Sequence, residues 1–396
     1  MDVGPTSHSV FVSPRLAVLA AWSAGQLFAG QIMRIEDVRI TIVEIPQIEP
    51  IAPYRSHIRT SSTTCSAIVE LCCDQGLVGW GEFNVNFLPG TTAGPMQEQA
   101  RDFLVGWDPR DVEVFAQQCP FENRLKSGLE IAMWDAAGKS AGLPVARLLG
   151  GILRPEVELA ACMGIQTYER AGEIARWYVE QGYTTLKTKA GANAEEDLEM
   201  VRGVRDAVGD RLQLRIDPNR AYSPQQAAEL ARQLEPYQLQ YFEQPIMADP
   251  LADAVWLRQQ TQTPLALNES VIDPPSVWEI LRLDAAEFIL PDTHIAGGIG
   301  PCRKIGELGA AAGVPCIMHC GHDLGPKTAA MVHVAAACEA YSLANDSTYY
   351  GLVEDITVRP LVIEKGRIRV PETPGLGVEG DPEKIRKYAV DAVSQA

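Results

Sequence analysis

The sequence predicts an α/β protein: a (β/α)8-type TIM barrel with an N-terminal α+β capping domain that the C-terminal tail completes. Three observations predict this fold. From about residue 156, a short apolar run followed by a helical run occurs seven times, with a period of about 22–28 residues, and an eighth apolar run follows. Residues 34–150 alternate as strands do and then become helical in period. Polar residues follow the barrel runs, as at the mouth of a catalytic barrel.

The eight apolar runs are the predicted parallel strands of the barrel. An open doubly wound sheet is the alternative, but it seldom sustains so many uniform repeats. In chain order the runs are ELAACMGI, TTLKTKAG, LQLRIDPN, QLQYFEQP, PLALNESV, EFILPDTH, PCIMHCGH and AYSLANDS.

Different patterns flank the barrel. Upstream, IEDVRITIVEIP and SAIVELCCDQGLVGWGE are rich in Val and Ile and contain a turn at DQG, which predicts antiparallel strands before the helices. Downstream, a strand-like piece, a Gly/Pro loop and a terminal helix follow. We therefore expect a capping domain over 34–155, a catalytic barrel over 156–360, and a segment over 361–396 that returns to the cap.

The first 33 residues differ from the rest. RLAVLAAWSAGQLFAG is apolar but too short to span a membrane. A weak secretory signal is one interpretation. We favour an N-terminal extension over 1–33, disordered or upstream of a natural start at Met33, because the chain reads as a metabolic enzyme. Its nine cysteines include no C-x-x-C pair, which indicates reduced thiols and a cytoplasmic location.

Charge limits the partners. The chain of 396 residues has a formal net charge of −17. Phosphate backbones and anionic lipid surfaces repel such a protein, so we expect neither nucleic acid nor membrane as partner. A small molecule is the expected ligand.

Three carboxylates recur at equal spacing. Asp217 in LRIDPN, Glu243 in YFEQP and Glu269 in LALNES are each 26 residues apart, one strand–helix unit. On adjacent parallel strands they would lie side by side at one rim, where they repel unless a cation joins them. Hard oxygen ligands suit Mg²⁺, with Mn²⁺ as an alternative.

Candidate proton-transfer groups lie on both sides of this triad. Lys187 and Lys189, two residues apart, share one face of the second strand, and a lysine near other cations can act as a base. On the other side, His319 ends the seventh run, 27 residues after Asp292. A carboxylate on the neighbouring strand would fix the tautomer of the imidazole.

Taken together, these residues resemble a known family. The motifs K-T-K, D-P-N, F-E-Q-P, N-E-S, P-D followed by G-G-I, and M-H are similar to those of the mandelate racemase/muconate lactonizing enzyme group of the enolase superfamily. IAMWDAAGKSAGLPVARLLGG and GLGVE extend the resemblance to the cap and the tail.

The resemblance implies a shared half-reaction. A base removes the proton next to a substrate carboxylate bound to Mg²⁺, and the metal and a lysine stabilise the enediolate. It further implies that Asp217, Glu243 and Glu269 are the ligands, Lys189 one base, Lys187 an electrostatic stabiliser, and Asn219 a neighbour of the metal. Where lactonizing branches carry a lysine, this chain has Asp292, which favours the mandelate racemase-like arrangement. The family also implies a homo-oligomer.

The residues leave the net reaction open. Dehydration of a hydroxy acid, such as an acid sugar or a hydroxylated proline, is favoured over racemization, epimerization or cycloisomerization. A non-catalytic binding barrel and a Schiff-base aldolase rank below both. Lid and rim residues are expected to contact the substrate; these are Tyr54, Ser56, Asn219, His294, His322, Asp323, Asn345 and Asp346.

Overall fold

A computed structural model describes residues 33–86 and 88–394, together with Met1. The chain divides into two units, Met1–Met33 and Arg34–Ala396. The expected extension over 1–33 lies outside the described residues apart from its two ends. The account below concerns the second unit.

An antiparallel sheet and a group of helices form the N-terminal part of this unit. The sheet has the order β1-β4-β5, and β2 pairs with β3 in a separate hairpin. The strands are β1 (Ile35–Pro46), β2 (Tyr54–Arg55), β3 (Thr60–Ser61), β4 (Thr63–Cys73) and β5 (Val78–Asn84), with a 3-10 turn at Asp74–Gly76 where DQG predicted a turn. The helices are α1 (Ala93–Leu104), α2 (Val112–Gln118), α3 (Asn123–Ala141) and α4 (Val145–Leu148).

Alternating parallel strands and helices follow in chain order. They are β6 (Glu156–Met163), α5 (Tyr168–Glu180), β7 (Thr185–Lys189), α6 (Ala194–Val208), β8 (Gln213–Asp217), α7 (Pro224–Leu234), β9 (Tyr241–Glu243), α8 (Ala252–Arg258), β10 (Leu265–Leu267), α9 (Pro274–Arg282), β11 (Phe288–Ile289), α10 (Thr293–Ala296), α11 (Ile299–Ala312), α12 (Gly325–Ala337) and β12 (Asn345–Asp346), with 3-10 turns at Glu235–Tyr237 and Tyr349–Gly351.

The sheet closes on itself, which confirms the barrel and makes the open-sheet alternative wrong. Neighbours pair in the order β6 to β11, and β12 pairs in parallel with β6. The seventh run forms no regular strand, yet it connects the sixth and eighth strands. Cys316 forms a β-bridge with Ile289 of β11, and the Asp346 amide of β12 donates to the Met318 carbonyl at 2.9 Å. All eight predicted runs therefore line one barrel.

The C-terminal segment touches both earlier parts. β13 (Ile363–Glu364) pairs with β14 (Arg367–Arg369), and β14 pairs antiparallel with the first three residues of β6. After α13 (Pro382–Tyr388), Ala389 bridges Val43 of β1. The boundaries 34–155, 156–360 and 361–396 stay a prediction.

Helix α3 of the cap anchors a barrel helix. Its buried Glu130 accepts hydrogen bonds from the amides of Ile299 (2.7 Å) and Gly300 (2.8 Å), at the N-terminus of α11. Backbone amides at a helix start have no intrahelical partner, so this carboxylate satisfies them. Gly298 has φ of 130°, and a Cβ there would overlap the Glu130 carboxylate. The second glycine of the G-G-I motif is therefore explained by this contact.

Strand β5 packs closely against α3 at its glycines, where there is no room for a side chain. A Cβ on Gly81 would overlap the Gly128 carbonyl oxygen and lie 2.9 Å from the Ala132 amide nitrogen. This close approach seats the cap helix that carries Glu130.

No helix in the described part of the chain is both long and apolar enough to cross a membrane.

We expect Gly81→Ala to lower the free energy of unfolding by about 1–3 kcal/mol, because the added methyl group meets backbone atoms that cannot move independently. Gly94→Ala is the matched control: Gly94 lies exposed in α1 with nothing within 4 Å of an added Cβ. Urea unfolding followed by circular dichroism measures both. An unchanged midpoint for Gly81→Ala would contradict the packing described.

Candidate active site

A cavity opens at the carboxyl ends of the barrel strands, between them and the cap. Its volume is about 370 Å³. Of the residues expected at the site, those that line it are Tyr54, Ser56, Lys187, Lys189, Asn219, Glu269, His294, His319, His322 and Asp346. Parallel pairing places Lys189 beside Asp217, so successive strands bring these groups to one rim.

Lys187 joins the carboxylates of three strands. Its Nζ lies 2.7 Å from Glu243 Oε1, 2.9 Å from Asp346 Oδ2 and 3.4 Å from Asp217 Oδ2. Burial lowers the pKa of this lysine, but the three carboxylates outweigh burial and hold the pKa well above its ordinary value. Lys187 therefore stays protonated and supplies fixed positive charge.

Asp346 is itself held from two sides. Its Oδ2 contacts Lys187, and its Oδ1 accepts a hydrogen bond from Arg215 Nη1 at 3.1 Å. Arg215 is fully buried, and its guanidinium group lies over the ring of Tyr241. Burial raises the pKa of Asp346, and Lys187 and Arg215 together reverse this and lower it. The charged aspartate thus fixes the position of Lys187.

Lys189 lies nearer the cavity. Its Nζ donates to Asp217 Oδ2 at 2.5 Å and to Asn219 Oδ1 at 2.8 Å, and Asn219 Nδ2 donates to Glu269 Oε1 at 3.2 Å. Glu269 also pairs with Arg220 at 3.4 Å. Burial raises the pKa of Asp217, but Lys189 and Lys187 hold it below its ordinary range.

The carboxylates at this rim fit a divalent cation. Ligand atoms of Asp217, Glu243 and His319 lie within 4.8 Å of one another. Glu269 is outside that group, but its Oε2 is buried and has no hydrogen-bond partner among the described residues. Burial, followed by the charge of Asp217, raises the pKa of both Glu243 and Glu269. A cation between hard oxygen donors would relieve this repulsion.

His319, beside the same carboxylates, is oriented by Asp292. His319 Nδ1 lies 3.0 Å from Asp292 Oδ2, and Nε2 lies 3.8 Å from Glu243 Oε1. The predicted 27-residue spacing therefore brings these two side chains into contact. A proton on Nδ1 would be shared with Asp292, which leaves Nε2 facing the site.

Asp292 also contacts two further cationic or titratable groups. Its Oδ1 lies 2.8 Å from Lys327 Nζ and 2.8 Å from His294 Nδ1. Burial raises the pKa of Asp292, but His294 and Lys327 outweigh it and hold this pKa well below the ordinary value. Burial lowers the pKa of His294 to about 4, so at neutral pH the charge opposite Asp292 comes from Lys327.

The cap supplies the remaining wall. Tyr54 meets the ring of His322 edge-on at 4.4 Å, and Gln47 Nε2 lies 3.0 Å from His322 Nδ1. Burial lowers the pKa of His322 to about 3, so this imidazole is neutral. Ser56 Oγ donates to the Arg59 carbonyl at 3.1 Å within the same hairpin.

Two expected contact residues do not reach the cavity. Asp323 Oδ1 is bound to Lys327 Nζ (2.7 Å) and the Gly321 amide (3.0 Å). Asn345 Oδ1 accepts from the Met318 amide at 2.8 Å and so joins the seventh and eighth runs. Both side chains have partners within the protein, and a role in substrate contact stays a prediction.

Sequence reasoning missed four charged residues. Lys327 is a lone lysine in the apolar helix GPKTAAMVHVAAA, and Arg215 is a lone arginine inside a barrel strand. A buried charge in an apolar element is a usable signal, because it must be paired. Arg59 and Arg124 also line the cavity, but they come from the cap, where no repeat indicates which residues face the barrel.

A capped barrel with acid–base groups around a carboxylate cluster defines a class of enzyme, and sequence comparison gives the family. Residues 39–150 match the mandelate racemase/muconate lactonizing enzyme N-terminal domain, and 169–384 match the enolase C-terminal domain-like family. The chain belongs to the mandelate racemase/muconate lactonizing enzyme group of the enolase superfamily. It is therefore an enzyme, and the binding-barrel and aldolase alternatives are wrong.

Relatives in this group catalyse different reactions. The chain is 28% identical over 356 residues to a hydrophobic dipeptide epimerase of Enterococcus faecalis, covering 87% of this chain and 99% of the relative. It is 32% identical over 256 residues to an arabinonate dehydratase of Saccharolobus solfataricus, covering 63% of this chain and 68% of the relative.

A solved structure supports the fold and the metal chemistry of the group. A dipeptide epimerase from Enterococcus faecalis V583, in complex with Mg and the dipeptide L-Leu-L-Tyr, aligns with a TM-score of 0.79 at 27% identity. The alignment covers 87% of this chain and 99% of that structure.

Removing the buried charge of Lys327, next to the Asp292–His319 pair, should destabilise the protein. We expect Lys327→Met to lower the free energy of unfolding by about 3–5 kcal/mol, because Asp292 and Asp323 lose a buried partner. Lys304→Met is the control, since Lys304 pairs with Glu113 on the surface and such pairs contribute little. Urea unfolding compares them, and equal stability of the two variants would contradict the buried pairing.

Proposed function

We propose that this enzyme removes the proton from the carbon next to a substrate carboxylate, with Lys189 and His319 acting from opposite sides of the cavity. The observation that carries the proposal is the Asp292–His319 contact of 3.0 Å facing a rim that also holds Lys189 and the carboxylates. One base on each side allows a proton to leave one face and a second group to act on the other.

Mg²⁺, or Mn²⁺ in its place, would be held by Asp217, Glu243 and Glu269 and would supply positive charge against the substrate carboxylate. Lys187, kept protonated by its three carboxylates, adds charge on the same side, where negative charge develops as the proton leaves. Asn219 positions both Lys189 and Glu269 through its amide. His319, oriented by Asp292, presents Nε2 to the substrate.

We favour dehydration of a hydroxy acid as the net reaction. Lys189 would take the α-proton, and His319 would protonate a β-hydroxyl as it leaves. The polar wall supports this outcome, since Gln47, Thr63, Asn84 and His322 all line the cavity and suit a substrate with several hydroxyls. Racemization or epimerization is the second candidate, because it needs the same two bases and a relative is an epimerase.

We also propose a cytoplasmic location and a homo-oligomer. The cysteines of the described residues are free, and most are buried, which suits a reducing compartment.

Single variants of the two bases should separate the steps. In D₂O with Mg²⁺, we expect Lys189→Met to lose α-deuterium incorporation and 2-keto acid formation by about 10²–10⁴-fold. His319→Asn should lose 2-keto acid formation similarly and keep deuterium exchange, because Lys189 still removes the proton. NMR of a panel of hydroxy acids measures both.

Lys304→Met serves as the surface control, and circular dichroism checks that each variant is folded. If each base variant instead keeps exchange with only one configuration of the substrate, the reaction is racemization. Product formation by Lys189→Met at the unmodified rate would rule out Lys189 as the base.

Glu243→Gln should weaken Mg²⁺ binding by about tenfold or more, because a charged oxygen donor is replaced by a neutral amide. Glu279→Gln is the matched control: Glu279 pairs with Arg282 on the surface. Calorimetric titration with Mg²⁺ measures both affinities. The same affinity in Glu243→Gln and in the unmodified enzyme would argue against the carboxylate cluster as the metal site.

A further inference from the structure

The cap side of the cavity carries two arginines that the proposed chemistry does not use. Arg59 follows the β2–β3 hairpin turn and Arg124 is the second residue of α3, and both line the cavity. Both are half-buried, so a ligand in the cavity would displace water from their guanidinium groups.

Main-chain carbonyls of neighbouring residues accept hydrogen bonds from the two arginines. Arg124 Nη1 donates to the Asn84 carbonyl at 3.0 Å, and Arg59 Nη1 donates to the Asn86 carbonyl at 2.7 Å. These carbonyls are two residues apart at the end of β5, so both guanidinium groups are anchored to one short stretch of the cap.

The same stretch is fixed to the barrel loop that follows His319. The side-chain amides of Asn84 and Asn86 both donate to the Gly321 carbonyl, the latter at 3.1 Å. A Cβ on Gly321 would lie 3.2 Å from His294 Cε1 and 3.4 Å from the Asn84 amide. Arg124 is therefore held beside the His319–His294 side of the cavity, and its acceptor, the Asn84 carbonyl, is neutral.

Charge is unevenly divided along the cavity. The carboxylates that line it, Glu269 and Asp346, belong to the metal rim and already contact Arg220 or Lys187. Among the described residues Arg124 forms no salt bridge, and the nearby Glu122 directs its carboxylate to the backbone amides of Arg124 and Leu125. The guanidinium charge of Arg124 therefore has no side-chain carboxylate partner among the described residues.

This charge distinguishes the two substrate classes left open above. A carboxylate can accept two parallel hydrogen bonds from a guanidinium group, which is among the stronger polar contacts in proteins. An ammonium group at the same place would meet like charge. A sugar hydroxyl would gain a weaker, neutral hydrogen bond.

We propose that Arg124, supported by Arg59, forms a subsite for a second carboxylate of the substrate, so that the substrate is a dicarboxylic sugar acid and not an amino acid. The inference rests on the proposed function: the first carboxylate and the reacting carbon lie at the metal rim, and the second carboxylate lies at the cap. Arg124 is then a specificity-determining residue.

Calorimetric binding tests the subsite without requiring turnover. The full-length enzyme with Mg²⁺ is titrated with matched pairs of six-carbon acids: galactarate with galactonate, glucarate with gluconate, and mannarate with mannonate. Hydroxyproline is the amino acid probe. We expect at least one dicarboxylate to bind about tenfold or more tightly than its monocarboxylate partner, and hydroxyproline to bind more weakly than either.

The arginine variants identify the cause. Arg124→Gln should remove the tenfold preference by weakening the dicarboxylate alone, and Arg124→Lys should restore part of it because charge is kept. Arg282→Gln, on the surface, should leave the preference unchanged. Arg59→Gln provides a second route to the same loss if Arg124→Gln fails to fold.

Deuterium exchange in the same samples separates the two proposals. Exchange at the α-carbon of dicarboxylates and monocarboxylates at equal rates, with equal affinities, would overturn the subsite and leave the proposed function standing. A dicarboxylate preference that depends on Arg124, without any exchange, would support the subsite and overturn the proposed function. Tightest binding of hydroxyproline would overturn the subsite.

Discussion

The repulsion between carboxylates buried at the barrel rim is the constraint on which the site depends. Asp217, Glu243 and Asp346 are all fully or almost fully buried and share Lys187. Burial of this much negative charge is unfavourable unless each carboxylate has a cation or a hydrogen-bond donor. The positions of Lys187, Lys189 and Arg215 follow from this requirement. Glu269 Oε2 is an exception, because it is buried without a hydrogen-bond partner among the described residues; a metal ion would satisfy it.

A second charge balance operates around Asp292. This carboxylate contacts His319, His294 and Lys327, which gives it more partners than a tautomer-fixing role needs. His294 and Lys327 together hold the pKa of Asp292 well below its ordinary value, against the effect of burial. In the proposed proton transfer, the ionised Asp292 would hold His319 in one orientation while the charge of the imidazole changes.

Periodicity made the barrel and most of its rim predictable from sequence. The strand spacing fixes which residues come to the same end of a parallel sheet, so the proximity of Asp217 and Glu243 and the Asp292–His319 contact were predicted from residue intervals. The third carboxylate of that prediction, Glu269, lies outside the close group. Contacts that depend on side-chain direction were less accessible. Asn345 and Asp323 occupy rim positions by spacing, yet their side chains turn to the Met318 amide and to Lys327. Arg59 and Arg124 could not be predicted, because no period relates the cap to the barrel.

The hydrogen bonds between Glu130 and the start of α11 limit which capping domains can be combined with this barrel. The backbone amides of Ile299 and Gly300 both donate to one acidic side chain from the capping domain. A chimera that replaced the cap with that of a relative lacking this acid would leave both amides unsatisfied. A cap that carries an acid at this position would keep both hydrogen bonds and would therefore be the better match for this barrel.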